Sequence, residues 1–148
     1  MSAADLRDVV RDAIARTLGV IGLLGIALIH LLDIHGKFGE TPYMAWMYVA
    51  LIVGSTLLAG VFVRSGARWA WGAAAGLAAS VIVGYVLSRT VGLPQSSDDI
   101  GNWSEPLGIA SLFVEGAVVA LASAALWERR ARVNAAGRLG RPAASLAT

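Results

Sequence analysis

The chain has 148 residues, of which 57% are hydrophobic and 15% charged, and it contains no cysteine. A soluble domain usually has about a quarter of its residues charged, so this composition indicates a membrane protein. The lack of cysteine excludes disulfides, thiolate metal sites and thiol redox chemistry. The formal net charge of +2 is too small to indicate a nucleic-acid partner.

The first residues predict a short amphipathic helix. Ser2 followed by Asp5 resembles a capping box. Apolar residues then recur at helical spacing, namely Leu6, Val9, Val10, Ala13 and Ile14. Such a helix could lie at the membrane interface or run straight into the first span. The other interpretation is a solvated extension of that span.

Four segments nearly free of charge predict membrane-spanning helices, at residues 18–34, 44–63, 69–87 and 107–127. Each is close to the roughly 20 residues that cross a ~30 Å hydrocarbon core. A soluble bundle would need polar helix faces, and the run MAWMYVALIVGSTLLAGVFV has none. The sequence therefore predicts an all-α integral membrane four-helix bundle, formed by one domain over residues 1–132. Residues 133–148 lack apolar periodicity and are predicted to be a disordered tail.

The distribution of positive charge predicts the orientation. The N-terminal segment, the second connection and the C-terminal tail hold ten of the 12 lysines and arginines, whereas the first and third connections hold only Lys37 and Arg89. The positive-inside rule then predicts a multi-pass protein of the bacterial cytoplasmic (inner) membrane, with both termini cytoplasmic. Its first partner is the lipid bilayer.

Small residues form a stripe along the third span, where every fourth position is Gly72, Gly76, Ser80, Gly84 or Ser88. Small residues at this spacing allow a neighbouring helix to approach closely. We expect this helix to be central in the bundle, or to line an interface with another copy or with other membrane subunits.

Polar and sulfur-bearing residues are predicted to share one depth in the outer half of the bundle. With a rise of about 1.5 Å per residue, His30, Met47, Tyr85 and Ser111 each lie roughly 8 to 9 Å inside the outer boundary. Each has a companion about one turn away on the same helical face, these being Asp33, Met44, Ser88 with Arg89, and Glu115. Glu115 is the deepest, at roughly 14 Å. An ionisable group at that depth is costly unless it faces a partner or a cavity, so it indicates a functional site.

Two uses suit this cluster. Its nitrogen, oxygen and thioether groups could bind copper or another divalent metal ion, the candidate ligands being His30, Asp33, His35, Met44, Met47 and Glu115. Glu115 could instead carry protons. The simpler interpretations are packing methionines, an Arg89 side chain that extends to the interface, and a Glu115 that hydrogen-bonds a facing helix.

No enzyme class is indicated. Both histidines lie at the end of one helix, so a single subunit cannot build a bis-histidine haem site. The motifs H-E-x-x-H and G-x-S-x-G do not occur. The leading hypothesis is a non-enzymatic membrane protein that acts by association, as a homo-oligomer or accessory subunit. The alternatives are metal or proton binding and transport, and an enzyme or binding subunit for a lipid or quinone that uses Tyr85, Arg89 and Glu115.

The segment Ser88–Pro94 (Ser-Arg-Thr-Val-Gly-Leu-Pro), followed by Glu105–Gly108 (Glu-Pro-Leu-Gly), resembles small four-span bacterial integral membrane proteins of uncharacterised function. The resemblance covers the second half of the chain best. It implies a four-span membrane protein and brings no activity with it.

Overall fold

A computed structural model describes residues 1–139, with side chains as far as Ala135. Within these residues four long helices follow one another: α1 (Ala3–Glu40), α2 (Pro42–Arg64), α3 (Arg68–Thr90) and α4 (Pro106–Leu139). A single 3₁₀ turn, Ser97–Asp99, lies between α3 and α4. All four helices are long and apolar enough to cross a membrane. The predicted all-α bundle is confirmed, with four helices long and apolar enough to span a membrane.

The chain ends differ from the prediction in their helix boundaries. The capping box of Ser2 and Asp5 forms, with both hydrogen bonds present, and it starts one continuous helix. The N-terminal amphipathic segment is therefore the first part of α1 and not a separate helix. At the other end α4 continues to Leu139, into the segment predicted to be a tail. Residues 140–148 of that segment lie outside the described residues.

The connections give the bundle two ends. The terminal end carries the start of α1, the α2–α3 connection and the end of α4. The loop end carries Thr41, which alone joins α1 to α2, and residues 91–105, which join α3 to α4. Pro42 begins α2, where its missing N–H leaves no helical hydrogen bond unmade. The tight connection makes α2 run back along α1.

The close-packed core lies towards the terminal end. The rings of Phe62 and Trp71 have centroids 4.4 Å apart and join α2 to α3. Around them pack buried residues of all four helices, among them Leu23, Ile26, Ala74, Ala78, Val118 and Ala122. A Cβ atom added to Gly22 would lie 2.5 Å from Val118 Cγ2, so α1 and α4 approach too closely there for any other residue.

The small-residue stripe of α3 does not face this core. Alanines 70, 74 and 78 are buried on α3, whereas Gly72, Gly76 and Ser80 are exposed. A Cβ atom added to Gly72, Gly76 or Gly84 would meet nothing within 4 Å. The stripe is therefore not filled by another helix of this chain, and its role as an interface with other subunits stays a prediction.

Candidate functional site

A cavity of about 250 Å³ opens among the helices at the loop end. Eight of the ten residues predicted to form an outer polar cluster line it: His30, Asp33, Met44, Met47, Tyr85, Ser88, Arg89 and Ser111. They come from four different helices. The equal depths inferred from the sequence thus correspond to one hollow, which we call the loop-end cavity.

His30 presents a free ring nitrogen at this cavity. The side chain is only 5% exposed, and its Nδ1 lies 2.9 Å from the carbonyl oxygen of Ile26, one turn earlier in α1. A carbonyl oxygen only accepts hydrogen bonds, so Nδ1 carries the proton and Nε2 of the neutral ring keeps its lone pair. Nε2 makes no hydrogen bond to any described residue.

Tyr48 is a cavity residue that the sequence analysis did not include. Its ring packs edge-on against His30, with centroids 4.8 Å apart, and its hydroxyl donates a hydrogen bond to Asp33 over 3.1 Å. The sequence could have indicated Tyr48, because it lies four residues after Met44 and therefore on the same face of α2. Tyr48 links α2 to α1 at the loop end.

Arg89 organises the outer wall of the cavity. The side chain is 5% exposed, lies 4.9 Å from the centroid of the Tyr85 ring, and forms ion pairs with Asp99 at 2.6 Å and with Glu105. Its carbonyl oxygen also accepts a hydrogen bond from the Gly101 amide at 2.9 Å. Arg89 therefore does not extend into the interface but holds the α3–α4 connection against the bundle.

The pKa of Asp99 reflects this role. Burial, the largest single influence, raises the pKa, but hydrogen bonds from Ser96 and Arg89 and the positive charges of Arg89 and Lys37 lower it more. The net result is a pKa below the usual value for aspartate. Asp99 and Glu105 were not predicted as site residues. The sequence could have indicated them as partners of Arg89, because acidic residues share the third connection with that one cation.

Glu115 lies behind the cavity wall. Its side chain is fully buried, and it accepts a hydrogen bond of 2.5 Å from Ser111, which lines the cavity. Its second oxygen, Oε2, has no hydrogen-bond partner. Within the described part of the chain, its one hydrogen bond is to its own helix and it forms no ion pair. Glu115 is thus one layer removed from the cavity and does not join two helices through a hydrogen bond.

The structure brings only part of the predicted metal-ligand set together. His35 is exposed and outside the cavity, and Glu115 does not line it. Among residues 1–135 no three histidine, aspartate or glutamate side chains lie close enough to hold a metal ion. Only Met44, Met47, His30 and Asp33 share the cavity. Metal binding stays a prediction that this geometry does not favour.

No family model, curated protein or solved structure matches this chain.

Proposed function

We propose that this chain is a membrane protein that binds a small molecule in the loop-end cavity. The observation that carries the proposal is the convergence of eight polar or sulfur-bearing residues from four helices on one hollow. Small-molecule sites are mostly apolar cavities with a few convergent polar groups, and they commonly lie between the helices of bundles. The loop-end cavity fits that description.

We place both termini in the cytoplasm of a bacterial cell, and the cavity in the outer half of its cytoplasmic membrane. Ion pairs of Arg11 with Glu128 and of Arg132 with Asp8 hold the start of α1 beside the end of α4. Arg129 also donates a hydrogen bond to the carbonyl oxygen of Gly66 in the α2–α3 connection. The segments rich in lysine and arginine thus share one end, which the positive-inside rule assigns to the cytoplasm.

The matched substitutions Gly84→Leu and Gly76→Leu test the ligand-binding proposal. Both glycines lie on α3 and have open space around an added Cβ, but only Gly84 lines the cavity. Leucine at position 84 should fill the cavity without displacing the backbone. We expect mass spectrometry of protein extracted in native-lipid particles to find an enriched small molecule with the wild type and Gly76→Leu, and not with Gly84→Leu.

The same compound in equal amount with all three proteins would contradict the proposal. So would the absence of any enriched compound from all three.

A second candidate function is association, as a homo-oligomer or accessory subunit of a membrane complex. It is favoured by the exposed glycines 72 and 76, whose surroundings within 4 Å are empty. We expect light scattering in a mild detergent to show an oligomer or a co-purifying subunit with the wild type, and a shift to the monomer in Gly76→Leu. A strictly monomeric wild type without a co-purifying protein would contradict this function and leave the cavity proposal unaffected.

A further inference from the structure

The loop-end cavity has a side opening between α2 and α3. These two helices touch towards the terminal end, through the rings of Phe62 and Trp71, and they make fewer contacts than the pairs α1 with α2 and α3 with α4. At the loop end both helices expose residues that also line the cavity: Met47 of α2 is 62% exposed, and Ser80 of α3 is exposed. Side chains that face a bilayer and a cavity at once form the edge of a lateral opening.

The depth of this opening favours a ligand dissolved in the membrane. Gly84, on the α3 edge, is six residues from the end of α3 at Thr90 and therefore roughly 9 Å along the helix from it. That position lies within the hydrocarbon region of a membrane-spanning helix. On the loop side, Leu93, Asp99 and Glu105 of the α3–α4 connection contribute to the wall. A ligand that enters between α2 and α3 therefore comes from lipid.

The hydrogen-bonding groups of the wall define what the ligand must offer. The side-chain donors that line the cavity already have acceptors within the chain. The pairs are Tyr48 with Asp33, Tyr85 with the Trp103 carbonyl, Ser80 with the Leu77 carbonyl, Ser88 with the Tyr85 carbonyl, Ser111 with Glu115, Lys37 with Glu40, and Arg89 with Asp99 and Glu105. Arg89 Nε lacks a partner but is covered by protein atoms. Among the wall acceptors, His30 Nε2 makes no hydrogen bond to a described residue and can accept one from a ligand.

The size and the side chains of the cavity favour one aromatic ring. An apolar cavity of about 150 Å³ can hold benzene, so about 250 Å³ has room for a ring with small substituents. Two methionines, Met44 and Met47, and two tyrosines, Tyr48 and Tyr85, are among the wall residues. Thioethers and aromatic rings both pack favourably against an aromatic ligand.

We propose that the ligand is a membrane-dissolved phenol with an apolar tail, such as the head group of a quinol. It enters between α2 and α3, places its ring among the methionines and tyrosines, and donates its hydroxyl to His30 Nε2. This inference rests on the proposed ligand-binding function and adds the ligand class and the route of entry.

Photolabelling in lipid nanodiscs tests this proposal. The probe is a 4-alkylphenol with a diazirine in its tail, and its labelling sites are mapped by mass spectrometry of peptides. We expect labels on residues 47–51 of α2 and 80–84 of α3. Unlabelled 4-heptylphenol should compete about tenfold better than its methyl ether, the usual loss for one neutral hydrogen bond. It should also compete better than a straight-chain alcohol of equal length, which has the hydroxyl but no ring.

Three variants locate the interaction. Gly84→Leu should remove the labelling, while Gly76→Leu should retain it. His30→Phe should retain labelling but lose the preference for the phenol over its ether, and His30→Gln, which keeps an acceptor, should restore part of that preference. Labelling elsewhere in the chain that Gly84→Leu leaves unchanged would overturn the ligand-binding function itself.

The ligand class would be overturned separately. Labelling that is blocked by Gly84→Leu, but with equal competition by phenol and ether in the wild type, would retain the cavity as a binding site and exclude the hydroxyl contact. Equal competition by the straight-chain alcohol would exclude the aromatic ring. A preference unchanged in His30→Phe would exclude His30 as the acceptor.

Discussion

The two ends of the bundle are built in opposite ways. At the terminal end an apolar core surrounds Phe62 and Trp71, and a hollow of about 460 Å³ beside it, between α1 and α4, is lined by ion-paired residues such as Arg11, Glu128 and Arg129. Arg16 extends this packing, because it donates hydrogen bonds of 2.8 and 2.6 Å to the carbonyl oxygens of Phe62 and Val63 at the end of α2. At the loop end the helices enclose a cavity, and a buried arginine holds its wall. The comparison indicates that the apolar core lies at the terminal end, while polar groups from all four helices converge at the loop end.

The ion pairs at the two ends differ in how far they are buried. Arg11 with Glu128 and Arg132 with Asp8 are exposed pairs that join α1 to α4 across the terminal end. Exposed pairs contribute little, about 0.5 kcal/mol each. The buried Arg89 instead neutralises two carboxylates and orders a connection of 15 residues, 91–105. The arginines of the terminal end therefore set how α1 and α4 align, while Arg89 determines the shape of the site.

Overfilling the apolar core at the terminal end should give the largest loss of stability. A Cβ atom added to Gly19 would lie 2.9 Å from ring carbons of Phe62 and 3.5 Å from Trp71, so Gly19→Leu forces the core apart. We expect a loss of about 3 kcal/mol in the free energy of unfolding, at the upper end for overpacked cores. Unfolding by sodium dodecyl sulfate in mixed micelles measures it. Gly84→Leu is the same change at the loop-end cavity, and it should alter the free energy of unfolding by no more than about 0.5 kcal/mol. Equal losses of unfolding free energy in Gly19→Leu and Gly84→Leu would contradict the expected difference in packing between the core and the cavity.

Removal of the buried arginine should have an intermediate effect. Arg89→Gln leaves Asp99 and Glu105 without their cation, and we expect a loss of about 2 kcal/mol, less than for fully buried pairs because both carboxylates are partly exposed. Amide hydrogen exchange at Gly101 should also accelerate, since this amide donates to the Arg89 carbonyl. Arg11→Gln is the matched control at the terminal end and should cost about 0.5 kcal/mol. A larger loss of stability in Arg11→Gln than in Arg89→Gln would contradict the larger contribution expected of the buried arginine.

Acid should give the smallest effect, and at the loop end it acts through Asp99. Asp99 has a lowered pKa in the folded chain, so its ion pair contributes stability above the pKa that aspartate has when unfolded. The contribution is lost as the pH falls through the lowered value, below about 4. Hydrogen exchange at residues 97–101 of the wild type, corrected for the intrinsic pH dependence of amide exchange, should therefore show less protection over this range than at neutral pH. Asp99→Asn should show less of this pH dependence, and identical pH profiles would exclude Asp99 as the titrating group.

The sequence predicts the spans and the depth of the site because both depend only on position along a helix. Apolar runs define the four helices, and antiparallel helices of known boundaries place His30, Met47, Tyr85 and Ser111 at one level. Helix rotation is harder to predict. His35 follows His30 by five residues, which is roughly 140° around the helix, so the two histidines cannot both face one cavity.

Two features could not be predicted from the sequence, for physical reasons. On α3 the alanines 70, 74 and 78 and the glycine stripe have the same spacing, and both consist of small residues, so the sequence does not say which of them packs against the bundle. The partners of Arg89 depend on the path of the α3–α4 connection, where Gly92 and Gly101 adopt positive φ angles of 78° and 79°. Such turns place Asp99 beside an arginine ten residues earlier, a distance at which no helical or strand periodicity applies.

Thr41, the one residue between α1 and α2, has a mechanical consequence for the opening of the cavity. It makes these helices a stiff hairpin at the loop end, with the Thr41 amide hydrogen-bonded to the Lys37 carbonyl over 2.9 Å. Helices α3 and α4 are joined there by a much longer segment that depends on Arg89. We therefore expect the α2 edge of the proposed opening to be held by its hairpin, and the α3 edge to set the width of the gap.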